Sequence, residues 1–355
     1  QQTWTNTELA VFDFLMTGSI GNIDIASGLQ FRDESFDVAR GASSIAQFDA
    51  SGNITQPADL LFLGGGLEST ASRNATALFI EGSMNASDRL EVKGALRYED
   101  LESDSSVDPK IAFRYQASDE LALRASFSTS FREASLAQLT STNISLQGIQ
   151  DYNADGSAKG GTAFIRIAQA NNPNLAPEES ENMNIGAMWN PTDKLSMKLD
   201  YWAIDYTNVI TIESAQGKVA ATPFDSDVKR TAGGTLTGVT TKYFNAANVN
   251  TSGLDFESTY DFDTSFGQAQ VGVNMMHMFE YEIPVGNTTK DVVGLFNHDN
   301  FARSLPDTKA VFHAALNSGN NSLSLFGRYT GDYKTTRPLD ATAKARGFSQ
   351  SIDSF

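Results

Sequence analysis

The residues best suited by type to bind a metal or move a proton near neutral pH are three histidines, His277, His298 and His313. None stands at a spacing that joins two ligands on one element. His277 lies among Met275, Met276 and Met278, a set that offers soft ligands to a metal or haem, although methionines on an apolar strand more often fill gaps in packing. DYNADG at 151–156 sets Asp151, Asn153 and Asp155 as the opening of a calcium loop. The position that should hold a bidentate glutamate is Thr162, so a solvated turn is the competing reading. The glycine run 64–66 lacks the Lys-Ser/Thr that phosphate cradling needs and reads as loop. With no cysteine, thiolate metal sites, disulfides and cysteine nucleophiles are excluded together. No Gly-x-Ser-x-Gly elbow is present. The sequence therefore predicts no enzyme, no cofactor and no metal site.

What remains is a regular polar set on alternating positions: Arg32, Glu34, Lys93, Arg97, Glu99, Lys110, Arg114, Arg124, Lys198 and Asp200. In residues 23–34, Ile23, Ile25, Leu29 and Phe31 alternate with Asp24, Gln30, Arg32 and Glu34. Charges at every second position describe strands with one greasy face and one wet face. The pattern recurs at 90–99, 110–116, 121–131, 195–201, 254–262, 271–279, 310–316 and 323–329, and less regularly at 9–18, 75–84 and 181–190. It predicts about twelve strands, many of about ten residues or more, as an antiparallel up-and-down transmembrane β-barrel requires. Short turns fall at 18–22, 85–88, 117–120, 191–194, 263–267 and 318–321. Longer loops span 38–74, 132–180, 213–237 and 282–305, with a tail from 335. Short turns on one rim and long loops on the other fit periplasmic and extracellular sides. Phe12, Phe14, Phe31, Phe36, Tyr98, Tyr115, Phe131, Trp189, Tyr201, Trp202 and Tyr206 sit where interfacial girdles would place them. Ordinary core aromatics of a soluble β protein are the alternative. Arg97, Arg114 and Arg124, on the wet face, are candidate substrate contacts, with hydrogen bonding within the wall as the competing role and the long loops, especially 132–180, as the better candidates for substrate capture. Arg114 meets Arg124 if their strands pair through the short turn.

A formal charge of −17 argues against nucleic acid as a partner. No apolar run is long enough for a spanning helix. The chain opens on Gln1 and Gln2, as a mature or truncated fragment would.

Several stretches resemble one family. Residues 124–139, RASFSTSFREASLAQL, resemble the Arg-x-Ser-aromatic-Ser-x-x-Phe-Arg-x-Pro-Ser-Leu run of TonB-dependent receptors, with Ala134 at the usual proline. Residues 172–189, NPNLAPEESENMNIGAMW, are similar to the family's Asn-Pro-x-Leu-x-Pro-Glu-x-Ser return from a long external loop. The stretches 14–38, 98–116, 199–210 and 244–260 complete the series in the family's order. The resemblance implies barrels of about 22 strands with a plugged lumen, so residues 1–355 are expected to be a partial transmembrane barrel domain, with the plug and C-terminal closing strands absent from it. It further implies import, in the bacterial outer membrane and in contact with its lipid, of a scarce nutrient: a ferric siderophore, haem, cobalamin or a glycan. Energy would come from the TonB–ExbB–ExbD complex through the missing N-terminal region. A passive porin-like channel or structural barrel remains the alternative, with a soluble secreted β protein behind it.

Overall fold

In the computed structural model, twelve long strands form an antiparallel sheet in which each pairs with its neighbours in chain order. They are β1 (Thr3–Ile20), β2 (Ile23–Arg40), β3 (Ser69–Ser87), β4 (Leu90–Asp100), β5 (Ser105–Gln116), β6 (Leu121–Arg132), β7 (Glu178–Thr192), β8 (Leu195–Thr207), β9 (Val249–Thr264), β10 (Gly267–Val285), β11 (Thr308–Ser318) and β12 (Asn321–Thr330). The structure describes residues 2–354 except 51, 57–63, 102–103, 247, 286–287, 297–303, 337–338 and 340. His298 lies outside the described residues, as does Phe355.

Period-two alternation turns into two faces because cross-strand partners share a face. Val92 pairs with Phe113, Ile111 with Phe127, Ile185 with Tyr201, Leu199 with Phe256 and Ala314 with Leu325. This apolar row runs across the sheet and is uncovered: Leu78 is 54% exposed, Ile185 54% and Leu325 61%. A continuous apolar face of this extent suits hydrocarbon rather than water. Among the described residues no helix is long and apolar enough to cross a membrane, so any crossing is made by strands. β1, β2, β3 and β10 run 18 to 19 residues, beyond the roughly ten that span the apolar slab, and project past it on the long-loop rim. Phe12, Phe14, Phe31, Tyr98, Tyr115, Trp189 and Tyr201 lie on the apolar row. Phe36, Trp202 and Tyr206 do not. Their register puts them on the charged face, which corrects the girdle reading of these three: closeness to a strand end does not set the face, parity does.

The long loops carry structure of their own. Residues 132–180 and 213–237, expected as plain loops, contribute to a five-stranded sheet of Asn143–Tyr152, Ala158–Ala170, Ile210–Ile212, Val228–Arg230 and Leu236–Asn245. Helix α2 (Ala215–Ala221) belongs to the same lobe. A short α1 (Leu136–Thr140) follows β6, held by a capping box between Ser135 and Gln138. Ile149, Ile165, Ile167, Val219, Val228, Leu236 and Val239 form the core between α2 and the loop sheet. Burial by residues some 70 positions apart, including a parallel pairing of Ile167 with Val239, is what local pattern cannot reveal.

Candidate functional site

The charged face gathers every member of the alternating polar set on one side of the sheet. Near the long-loop rim, Glu99 on β4 is 2% exposed and lies between two guanidiniums, Arg32 of β2 and Arg97 of its own strand, the latter at 2.6 Å. A carboxylate so buried is tolerable only when paired. Arg97 also donates to Gln30 Oε1 at 2.9 Å, and Gln30 donates to Asp13 at 2.7 Å, so the network crosses from β4 to β1. Above it Arg73 of β3 links Glu34 at 2.7 Å, Glu133 at 2.9 Å and the Ala134 carbonyl at 2.6 Å. Ala134 is 1% exposed, and this anchor secures the chain where proline was expected. Arg132 closes the rim on Glu178 of β7 at 2.5 Å. Arg32, Glu34, Arg73, Arg97, Glu99, Arg132, Glu133 and Asp108 line a concavity of about 660 Å³.

Arg114 and Arg124 form a second group nearer the short-turn rim. They are direct cross-strand partners, as the short turn required. Two like charges in that position repel, and the relief comes from β8: Asp200 takes both Nε (2.8 Å) and Nη2 of Arg124. The pair reaches across an intervening strand because Gly186, in register with both, has no side chain; a Cβ there would collide with Asp200 Oδ1. Arg114 donates to Gln116 at 3.0 Å. Arg97 thus belongs to the upper concavity and Arg114 and Arg124 to a separate network. Sequence reasoning missed Arg73, Arg132, Glu133 and Asp108. Parity would have found Arg73, which sits opposite Glu34.

The histidines do not converge. His277 shares the apolar row with Met275, hydrogen-bonds Thr308 at 2.8 Å and lies edge-on to Phe279. Met276 and Met278 lie on the charged face with His313, which stacks over Gly272. Asp151, Asn153 and Asp155 do not assemble as ligands: Asp151 is bound by Arg230 at 2.5 and 2.9 Å, while Asn153 and Asp155 both engage Ser157. Arg230 holds the Asp151 carboxyl below its ordinary range, and Asp151 raises Arg230 in turn. No cluster of three metal-ligating side chains occurs among the described residues. The face offers charge and hydrogen bonds, suited to holding and guiding a hydrated solute.

The sequence matches the family described as TonB dependent receptor-like, beta-barrel, over residues 1–352. The chain belongs to that family. Its structure is similar to those of TonB-dependent siderophore receptors. The ferric enterobactin receptor of Pseudomonas aeruginosa superposes with a TM-score of 0.67 at 15% identity, covering 99% of this chain and 46% of the other. The siderophore receptor PirA of Acinetobacter baumannii gives 0.64 at 14% identity over 99% and 47%. The FrpB iron transporter of Neisseria meningitidis gives 0.53 at 14% identity over 99% and 47%. This TonB-dependent receptor chain therefore spans about half the length of the solved structures it matches. No curated protein matches it. The family and fold are those of transport receptors, and barrels of this family are outer-membrane proteins.

Proposed function

We propose that the chain is wall from an outer-membrane import receptor that takes up a scarce nutrient, with a ferric siderophore as its foremost substrate class and the TonB–ExbB–ExbD complex as its energy source. The observation that carries this reading is the family match combined with a sheet that has one salt-linked charged face and one uncovered apolar face. The plug, the TonB-contacting segment and further wall strands lie outside these residues in this proposal, in keeping with coverage of about half of the matched receptors. Arg97, Arg114 and Arg124 line the solute path, while the loop lobe makes first contact from outside. The test is radioactive-iron uptake in a Gram-negative host that lacks its own ferric-siderophore receptors and carries the intact reading frame. Uptake that disappears when tonB is deleted supports the proposal. Solute flux that persists without tonB makes a passive porin-like barrel the better account and ends the energised-import reading.

A further inference from the structure

The loop sheet has a second face. Ile165 and Ile167 point into the core against α2, so alternation sends Arg166 and Ala168 the other way. That face is partly roofed by a hairpin from the β2–β3 connection, whose Ala46 packs on Ile144 and Ala168 with Phe48 and Ile54 beside them. Between hairpin and sheet lies a cavity of about 340 Å³, bordered by Arg166, Gly238 and Thr240 on the sheet and by Asn53 and Ile54 on the roof.

Arg166 is the unusual member. Its Nε is buried without a hydrogen-bond partner, a state that costs free energy and is rare in folded proteins. Its neighbour Arg230 is neutralised by Asp151 and packs over the Phe224 ring at 4.9 Å. No carboxylate among the described residues forms a salt bridge with Arg166, whereas Arg32, Arg73, Arg97, Arg124, Arg132 and Arg230 each have one. Directly beside it in the parallel ladder stands Gly238, where a Cβ would press on the Arg166 carbonyl oxygen at 3.1 Å, so the absence of a side chain there lets the two strands pair closely on the cavity floor.

We propose that this cavity is an oxyanion-binding site on the extracellular lobe, in which the Arg166 fork takes a carboxylate or phosphate group and the Thr240 hydroxyl lies in reach of it. A guanidinium presents a planar set of N–H donors matched to two oxygens of such a group, and a bound oxyanion supplies the partner that the fold withholds. The site lies behind the loop sheet, apart from the charged face of the wall; the extracellular placement of the lobe rests on the proposed receptor reading, whereas anion binding by Arg166 is tested separately from transport. The ligand is either a free small anion or the acidic arm of a larger molecule whose body stays outside.

The test is calorimetric titration of the intact receptor in detergent with inorganic phosphate and, separately, with citrate. Wild type is expected to bind at least one of them. Arg166→Met is expected to weaken that binding by about tenfold or more, and Arg166→Lys, which keeps the charge but loses the fork, to fall between. Phosphate binding identifies a free anion as the ligand class; citrate binding without phosphate identifies a carboxylate arm. The proposal is overturned if neither probe binds at millimolar concentration, or if Arg166→Met binds as wild type does. Should the methionine variant fail to fold, undiminished affinity in Arg166→Lys overturns the two-oxygen geometry instead.

Discussion

Removing one member of the Arg124–Asp200 pair should not equal removing the other. Asp200 is 8% exposed and faces Asp255 directly across the β8–β9 ladder, whereas the Arg124 side chain is 41% exposed and can turn towards water. Exposed ion pairs contribute roughly 0.2–1 kcal/mol, and stripping the partner from a buried charge costs about 3–5 kcal/mol. The pair sits between these limits. Arg124→Met strands a buried carboxylate beside a second one and should cost about 2–3 kcal/mol. Asp200→Asn leaves a half-exposed guanidinium opposite Arg114 and should cost about 1 kcal/mol. The double variant should resemble Asp200→Asn, giving a coupling energy of about 2–3 kcal/mol. The assay is urea unfolding of the intact receptor folded in detergent, with all four proteins of the cycle compared at low and high salt. Additivity within about 0.4 kcal/mol, or equal costs for the two single variants, refutes the reasoning.

Three further outcomes follow from the same geometry. Ile111→Arg, on the apolar row, should destabilise the membrane-embedded receptor by about 2–4 kcal/mol, whereas Ala112→Arg on the charged face should change stability by less than about 1 kcal/mol in the same unfolding assay. Asp151, whose carboxyl is held down by Arg230, should stabilise the lobe fully above about pH 4 and progressively less as pH falls through its lowered value; amide-exchange protection of residues 143–152 should drop on acidification in wild type and lose that dependence in Asp151→Asn. Val219, wholly buried in the lobe core, should cost about 2 kcal/mol as Val219→Ala, speeding limited proteolysis within the loops while the wall strands stay intact.

The twelve wall strands were legible because each needs a greasy and a wet face, and residues such as Leu90 to Glu99 show it without outside help. Their outer ends were not. In the last residues of β2, SFDVAR, alternation continues with its sense reversed: Phe36 and Val38 share the face of Arg32 and Glu34, and Val38 is buried there, so apolar character no longer marks the lipid side. The loop strands stayed hidden for a related reason: residues 158–161 begin one of them with AKGG, and its partner strand starts at Leu236. Arg97, Arg114 and Arg124 could be assigned a face from parity. Their partners could not, since Asp200 lies 76 residues from Arg124 and meets it only through the order of β6, β7 and β8.

A sheet that forms a membrane wall with its charges inward exposes its two faces to different solvents, and the absence of cysteine allows a clean labelling experiment. Single cysteines placed in turn from 109 to 115 on β5, in the intact receptor in outer membranes, would be probed with a water-soluble maleimide and with a lipid-phase quencher of an attached fluorophore. Strict alternation is expected: positions 110, 112 and 114 react with the aqueous reagent, and 109, 111, 113 and 115 are quenched from lipid. Uniform aqueous labelling of both sets would contradict it.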